Sequence, residues 1–297
     1  MEKHMETEIA AINQQSFKDK IKSYTKHPGS FLLLLLVLVA AVLTVGVLVF
    51  LVGYILIRGI PYLKPSLFAW TYNSDNVSML LAMINTLFMT VLALLLSVPF
   101  GVGAAIYLVE YAKKGNKLVG IIRVTAETLS GIPSIIYGLF GMLFFVTALK
   151  WGYSMMAGAA TLAIMVLPVI MRTTEEALLC VPDSFREGSF GLGAGKLRTI
   201  FKIVLPSAIP GILSGIILAI GRIVGETAAL IYTSGTVANL AGFFDSGRTL
   251  AIHMYSLSRE GMHTNEAYAT AVVLLIVVLI INGVSSLIAK KFEAPKQ

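Results

Sequence analysis

Along the chain, long unbroken apolar runs alternate with short polar stretches. The runs cover residues 31–57, 80–107, 119–149, 153–171, 207–234 and 267–288. A helix of about 20 apolar residues spans the hydrocarbon core of a bilayer. The pattern therefore predicts six crossings. In lipid every backbone N–H and C=O must find its partner within the segment, so these runs are expected to be helices and the fold an all-α integral membrane protein. The polar residues ahead of the first run do not have the form of a short cleavable leader, which predicts that 31–58 is a retained anchor. This divides the chain into a tail at 1–30, a first transmembrane helix at 31–58, a core of five further helices at 79–290 and a second tail at 291–297.

Composition agrees with this division. Hydrophobic residues make up 57% of the chain and charged residues only 13%, against about 25% in a typical soluble domain. The net charge of +7 would suit nucleic acid if it formed a patch, but the basic residues sit between apolar runs. On one side fall Lys3, Lys18, Lys20, Lys22, Lys26, Lys113, Lys114, Lys117, Arg186, Lys196, Arg198, Lys202, Lys290, Lys291 and Lys296. The other side has Arg58, Lys64, Lys150, Arg248 and Arg259. The positive-inside rule makes the richer side cytoplasmic, with both termini inside. No nucleic-acid partner is expected, and lipid is.

With this topology, 173–206 is the longest internal cytoplasmic segment and the natural seat for a cytoplasmic partner. The outward segment 238–266 is a weaker candidate for docking from outside. Within the inner loop, Ser184 is spaced to cap a short helix with Glu187 at its third position. Gly188, Gly191, Gly193 and Gly195 permit a turn after it. Such a helix would offer Phe185, Phe190 and Leu192 to a groove, and Pro206 suits the first turn of the helix that follows. The alternative is a plain connector returning the chain to the membrane.

Two look-alikes are set aside. Gly191-Leu192-Gly193-Ala194-Gly195 follows no strand and lacks the full dinucleotide spacing. Gly195-Lys196 is followed by Leu197, and Phe190 stands where a phosphate loop has its first glycine. No nucleotide cofactor is expected on this chain. The single Cys180 excludes an internal disulfide, and histidines at 4, 27, 253 and 263 form no HExxH site, so no metal is expected.

Charge inside the hydrocarbon costs about 2.5 to 3.5 kcal/mol per residue on insertion scales, so each such residue is a functional candidate. Three Arg-x-x-x-Glu pairs have the spacing of one helix face: Arg123 with Glu127, Arg172 with Glu176, and Arg222 with Glu226. Arg123 lies near a helix start. Arg172 lies at a cytoplasmic helix end, where snorkelling accounts for it; it is kept as a secondary pathway candidate. Arg222 is some fifteen residues into its run, about 22 Å along a helix axis. Two readings stand for it. Arg222 and Glu226 neutralise each other inside a bundle, or Arg222 lines an anion path with Glu226 as its resting counter-ion and Thr227 beside it. A planar guanidinium donates several hydrogen bonds at once to a tetrahedral oxyanion. Gly131 and Pro133 would break a helix at membrane depth, which is tolerated where backbone faces protein or a watery cavity. Gly211, Gly215 and Ala219, followed by Gly221 and Gly225, form small-residue strips for close helix contact.

The order Glu187-Gly188-Ser189, three residues, Gly193, nine residues, Ile203-Val204-Leu205-Pro206 resembles the EAA loop of the permease subunits of ATP-binding-cassette importers. Its spacing is complete, with Gly188 and Ser189 in place of two alanines. The stretch Gly221-Arg222-Ile223-Val224-Gly225-Glu226-Thr227-Ala228 is similar to the segment after that loop in phosphate permeases. Gly131-Ile132-Pro133-Ser134-Ile135-Ile136-Tyr137-Gly138-Leu139-Phe140-Gly141 resembles their third-helix motif. The resemblance implies a type I importer permease fold of the MetI kind, with Glu187, Gly188, Ser189, Gly193, Ile203, Leu205 and Pro206 coupling to an ATPase. It further implies a second permease of the PstC type, two ATPases of the PstB type holding ATP and Mg2+, and a periplasmic or lipid-anchored phosphate-binding protein of the PstS type, in a bacterial or archaeal plasma membrane. A channel, a secondary transporter and a permease for another oxyanion remain as alternatives.

Overall fold

The computed structural model describes residues 28–113 and 115–292, and all its regular elements are helical. Residues 1–27 of the predicted tail 1–30 and 293–297 of the predicted tail 291–297, with the lysines they hold, and Lys114 lie outside the described residues. The chain divides into two compact units that meet at Ile55 and Leu56. Helix α1 (Pro28–Gly59) makes up nearly all of the described part of the first. Its Thr44 hydroxyl donates 2.8 Å back to the Ala40 carbonyl, so a polar side chain is satisfied without leaving the helix.

The second unit is a helical bundle. Helix α2 (Leu80–Ile106) runs on to Tyr111 through a widened turn. Then come α3 (Lys117–Ser130), α4 (Ser134–Gly141, extended by a wide turn to Ala148) and α5 (Met155–Leu179). After α6 (Asp183–Gly191), α7 (Lys196–Thr199) joins α8 (Leu205–Val224) through a widened turn at Ile200–Val204. The short α9 (Ala228–Ile231), α10 (Leu250–Glu260) and α11 (Thr264–Phe292) complete the unit.

The core is stratified. Its central layer joins Met89, Leu92, Tyr137, Met165, Ile170 and Ile223 from α2, α4, α5 and α8. A second layer, with Ala105, Leu108, Met171, Leu178, Val204 and Ile212, sits at the end of the bundle that carries the loop between α5 and α8. A third packs Leu67, Val77 and Met79 against Leu250, Leu257 and Val273 on the outer side. Close approach of α5 and α8 depends on Gly215, where an added Cβ would collide with Thr173.

Three expectations change. The run 119–149 is not one helix: α3 and α4 meet at 100°. Pro133 has no N–H to give and stands as the N-cap of α4, and the Tyr137 hydroxyl donates 2.7 Å to the Leu129 carbonyl at the end of α3. Among the described residues, five helices are thus long and apolar enough to cross a membrane, or six if the bent pair is one span. The fifth run ends early, at Val224 rather than residue 234. Pro206 does stand in the first turn of α8, which is itself joined to α7 through the widened turn where the Leu205 N–H reaches back five residues to Ile200. The outward segment holds a folded helix, α10, with Leu250, Ile252, His253 and Leu257 buried.

Candidate translocation and coupling sites

Arg222 occupies the last turn of α8, where the negative end of the helix dipole favours a cation. Its expected partner is not there. The helix ends at Val224 and Gly225 turns the chain out of register, so the four-residue spacing no longer places Glu226 on the same face. The Glu226 carboxylate instead accepts the Ala229 N–H at 3.0 Å, capping α9, and is buried in doing so. Thr227 turns back to the Gly225 carbonyl at 3.4 Å. Arg222 makes no ion pair or hydrogen bond among the described residues. It lines a cavity of about 630 Å³ between α5, α8 and α11 with Val169, Ser214, Ile217, Leu218, Gly221 and Asn282. The Asn282 carboxamide oxygen is buried there without a partner, and Arg222 lies within electrostatic reach of Tyr137 on α4. Gly221 and Gly225 make no close helix contact; Gly221 is a wall of the cavity. Chemically, this site offers a multi-donor cation with no fixed counter-charge.

The other two Arg-x-x-x-Glu pairs are partly exchanged. Arg123 pairs across to Glu175 on α5, and Glu127 pairs with Arg172 at 3.3 Å. Only Arg172–Glu176 forms as spaced, at 3.2 Å. These five charges line a smaller pocket between α3 and α5 and are mostly exposed, which suits the cytoplasmic rim more than the interior.

The loop between α5 and α8 builds a distinct surface. Helix α6 starts at Asp183 with Pro182 as N-cap, two residues earlier than a Ser184 cap requires, so no capping box forms. Glu187 and Gly188 face solvent, while Ser189 is buried and its hydroxyl meets Thr199 at 2.8 Å, clasping α6 to α7. A small residue is needed at 189 for that reason. Of the four glycines, only Gly193 takes a left-handed backbone, φ +79°, and it reverses the chain. Phe185, Phe190, Leu197 and Phe201 are exposed, and Leu192 is 91% exposed. Ile203 and Leu205 lie at the base of this surface, half-buried.

Two groups escaped sequence reasoning. Glu110 and Arg186, 76 positions apart, form a nearly buried ion pair at 2.8 Å, and no local spacing signals a pair so distant. Asn282 sits in a uniformly apolar run, and its solitary amide was the available signal.

This combination of a broken third span, a long inner loop with an apolar surface and an unpaired intramembrane cation is that of an importer permease. The chain belongs to the family of binding-protein-dependent transport system inner membrane components, which matches residues 97–294. It is 34% identical to the probable ABC transporter permease protein YqgI of Bacillus subtilis over 86% of this chain and 94% of the relative. It is 37% identical to the phosphate transport system permease protein PstA 1 of Mycobacterium tuberculosis, over 70% of this chain and 69% of the relative. In fold it is similar to the bacterial alginate ABC transporter in complex with its alginate-bound periplasmic protein, with a TM-score of 0.67 at 15% identity, covering 90% of this chain and 97% of that one. The protein is thus a multi-pass permease subunit of an ABC transporter and not its ATPase, and the family implies ATPase and substrate-binding partners. Membership in the family sets aside the channel and the secondary transporter.

Proposed function

We propose that this chain imports inorganic phosphate across a bacterial or archaeal plasma membrane as half of a translocation pathway. Its other half is a second, PstC-like permease, two PstB-like ATPases bind ATP and Mg2+, and a PstS-like protein delivers phosphate from outside. The observation that carries the reading is Arg222, a cation on a cavity wall whose nearest carboxylate in sequence is engaged elsewhere. Relatives named as phosphate permeases support the choice of oxyanion.

In this reading the anion takes the guanidinium fork of Arg222 as it passes, and no protein carboxylate has to be displaced first. Arg172, with its neighbours Glu127 and Glu176, lies at the cytoplasmic rim of the route. Gly131 and Pro133 make the bend at which α4 turns. The ATPase seats on Glu187, Gly188, Ser189, Gly193, Ile203, Leu205 and Pro206, meeting the exposed Phe185, Phe190 and Leu192.

The test is co-purification of the chain with its neighbours, followed by reconstitution in liposomes with the binding protein. ATP hydrolysis is expected to rise with phosphate and to stay at its basal rate with sulfate or molybdate. Stimulation by one of those anions in place of phosphate would reassign the cargo, and no stimulation by any oxyanion would end the reading.

A further inference from the structure

Helix α6 is nine residues long, too short to hold a direction in water by its own hydrogen bonds. Among the described residues, one side chain supplies the hydrogen bonds that tie it to the ends of α2 and α5. Arg186 donates from Nε and Nη2 to the same Glu110 oxygen, at 3.1 and 2.8 Å. It also donates 2.9 Å to the Leu178 carbonyl and 2.7 Å to the Val181 carbonyl. Those carbonyls lie at the cytoplasmic end of α5, where the last turn of a helix leaves acceptors without intrahelical donors. Asp183, within α6 itself, is 3.3 Å away and largely exposed. Glu110 belongs to the widened turn that ends α2, and its side chain is 8% exposed against 14% for Arg186. One guanidinium thus ties three elements: the loop helix, the end of α5 and the end of α2. The Ser189–Thr199 contact joins α6 only to α7.

Packing gives this knot mechanical reach. Helix α2 lies against α5 at Gly101 and Ile170, and α5 carries Val169 on the wall of the Arg222 cavity. We propose that the Glu110–Arg186 pair is the positioning element that makes α6 move as one body with the cytoplasmic ends of α2 and α5, so that ATPase closure on the loop reaches the anion cavity. This rests on the coupling role assigned above to the loop. Removing the Glu110 acceptor leaves α6 able to dock but free to swivel, which disconnects hydrolysis from transport.

The experiment uses the complete importer with its binding protein in liposomes and compares Glu110→Ala, which removes the acceptor, with Glu110→Gln, which keeps an oxygen for Arg186. In Glu110→Ala, ATPase retention and hydrolysis should stay within about threefold of wild type while uptake falls about tenfold or more, with Glu110→Gln between the two. A second readout places nitroxides at Lys113→Cys and Ser184→Cys in a Cys180→Ser background; all three positions are exposed and none belongs to the surface assigned to the ATPase. The distance between labels should be the same in the apo and the ATP–vanadate-trapped complex, and should shift or broaden on trapping in Glu110→Ala. The proposal is overturned if both variants match wild type, if hydrolysis and uptake fall together at a constant ratio, or if the label distance already changes on trapping with Glu110 intact. A wild-type chain that never retains an ATPase would instead fail the coupling reading itself, and this proposal with it.

Discussion

Arg222 and His253 put opposite demands on their surroundings. Arg222 keeps its charge beside a cavity, so a neutral isostere should remove function without removing the fold. Arg222→Gln is expected to lower phosphate uptake by about a hundredfold or more, the scale of losing one donor to an anion, while the complex still assembles. Loss of assembly would make Arg222 a structural residue. His253, on α10 outside the candidate spans, is fully buried, and its pKa is lowered to about 3, first by burial and then by the neighbouring Arg248 charge, with the Val77 carbonyl pulling the other way. The unfolded chain takes up that proton near 6.5 and the folded chain does not, so stability is complete above about pH 6.5 and declines as pH falls below it toward 3. Between pH 7 and 5 the contribution is about 2 kcal/mol. The thermal midpoint of the purified chain should fall over that range, and His253→Phe should flatten the slope. The sequence made Arg222 visible because a lone cation in an apolar run is conspicuous. It could not reveal the fate of Glu226, since the four-residue rule holds only while the helix continues, and Gly225 ends it.

At the scale of elements, hydropathy located every long helix, because burial in lipid is written in composition. Hydropathy was blind to direction. The run 119–149 passes as one apolar span even with Arg123 and Glu127 ahead of Pro133, so its 100° bend leaves no mark in an average; the mark is Gly131-Ile132-Pro133 itself. Pro206 reads as a helix start by its ordinary preference and stands in the first turn of α8, though the widened turn before it joins that helix to α7. The strip Gly211–Gly215–Ala219 was legible as a contact face, and Thr173 facing Gly215 gives the reason for its smallness. Gly215→Val should therefore force α5 and α8 apart and cost about 1 to 3 kcal/mol, the usual range for overpacking. Thermal unfolding in detergent measures it, and Gly215→Ala should cost less; equal stability of both variants with wild type would show that the two helices have slack.

For the whole molecule, the polar loop facing the cytoplasm and the cavity within the bundle are separate devices. The family spacing from Glu187 to Pro206 was readable from end to end, whereas the clasp that holds the loop, Glu110 with Arg186, was not, because it joins distant parts of the chain. Glu187 is exposed and makes no ion pair among the described residues, which suits a contact with another chain. Glu187→Lys is expected to weaken ATPase retention at least about tenfold in pull-down titrations, with membrane insertion unchanged. Normal retention would move the docking site elsewhere on the loop.

Because Glu226 caps α9, the resting cavity holds one unbalanced positive charge. A cell interior held at negative voltage opposes each incoming negative charge by about 2.3 kcal/mol per 100 mV. Being fixed, the bare guanidinium lowers the barrier an anion meets in the cavity but returns no work over the cycle. All of that electrical work falls to the motor. A carboxylate restored beside Arg222 would raise the barrier, and uptake would then slow at every membrane potential.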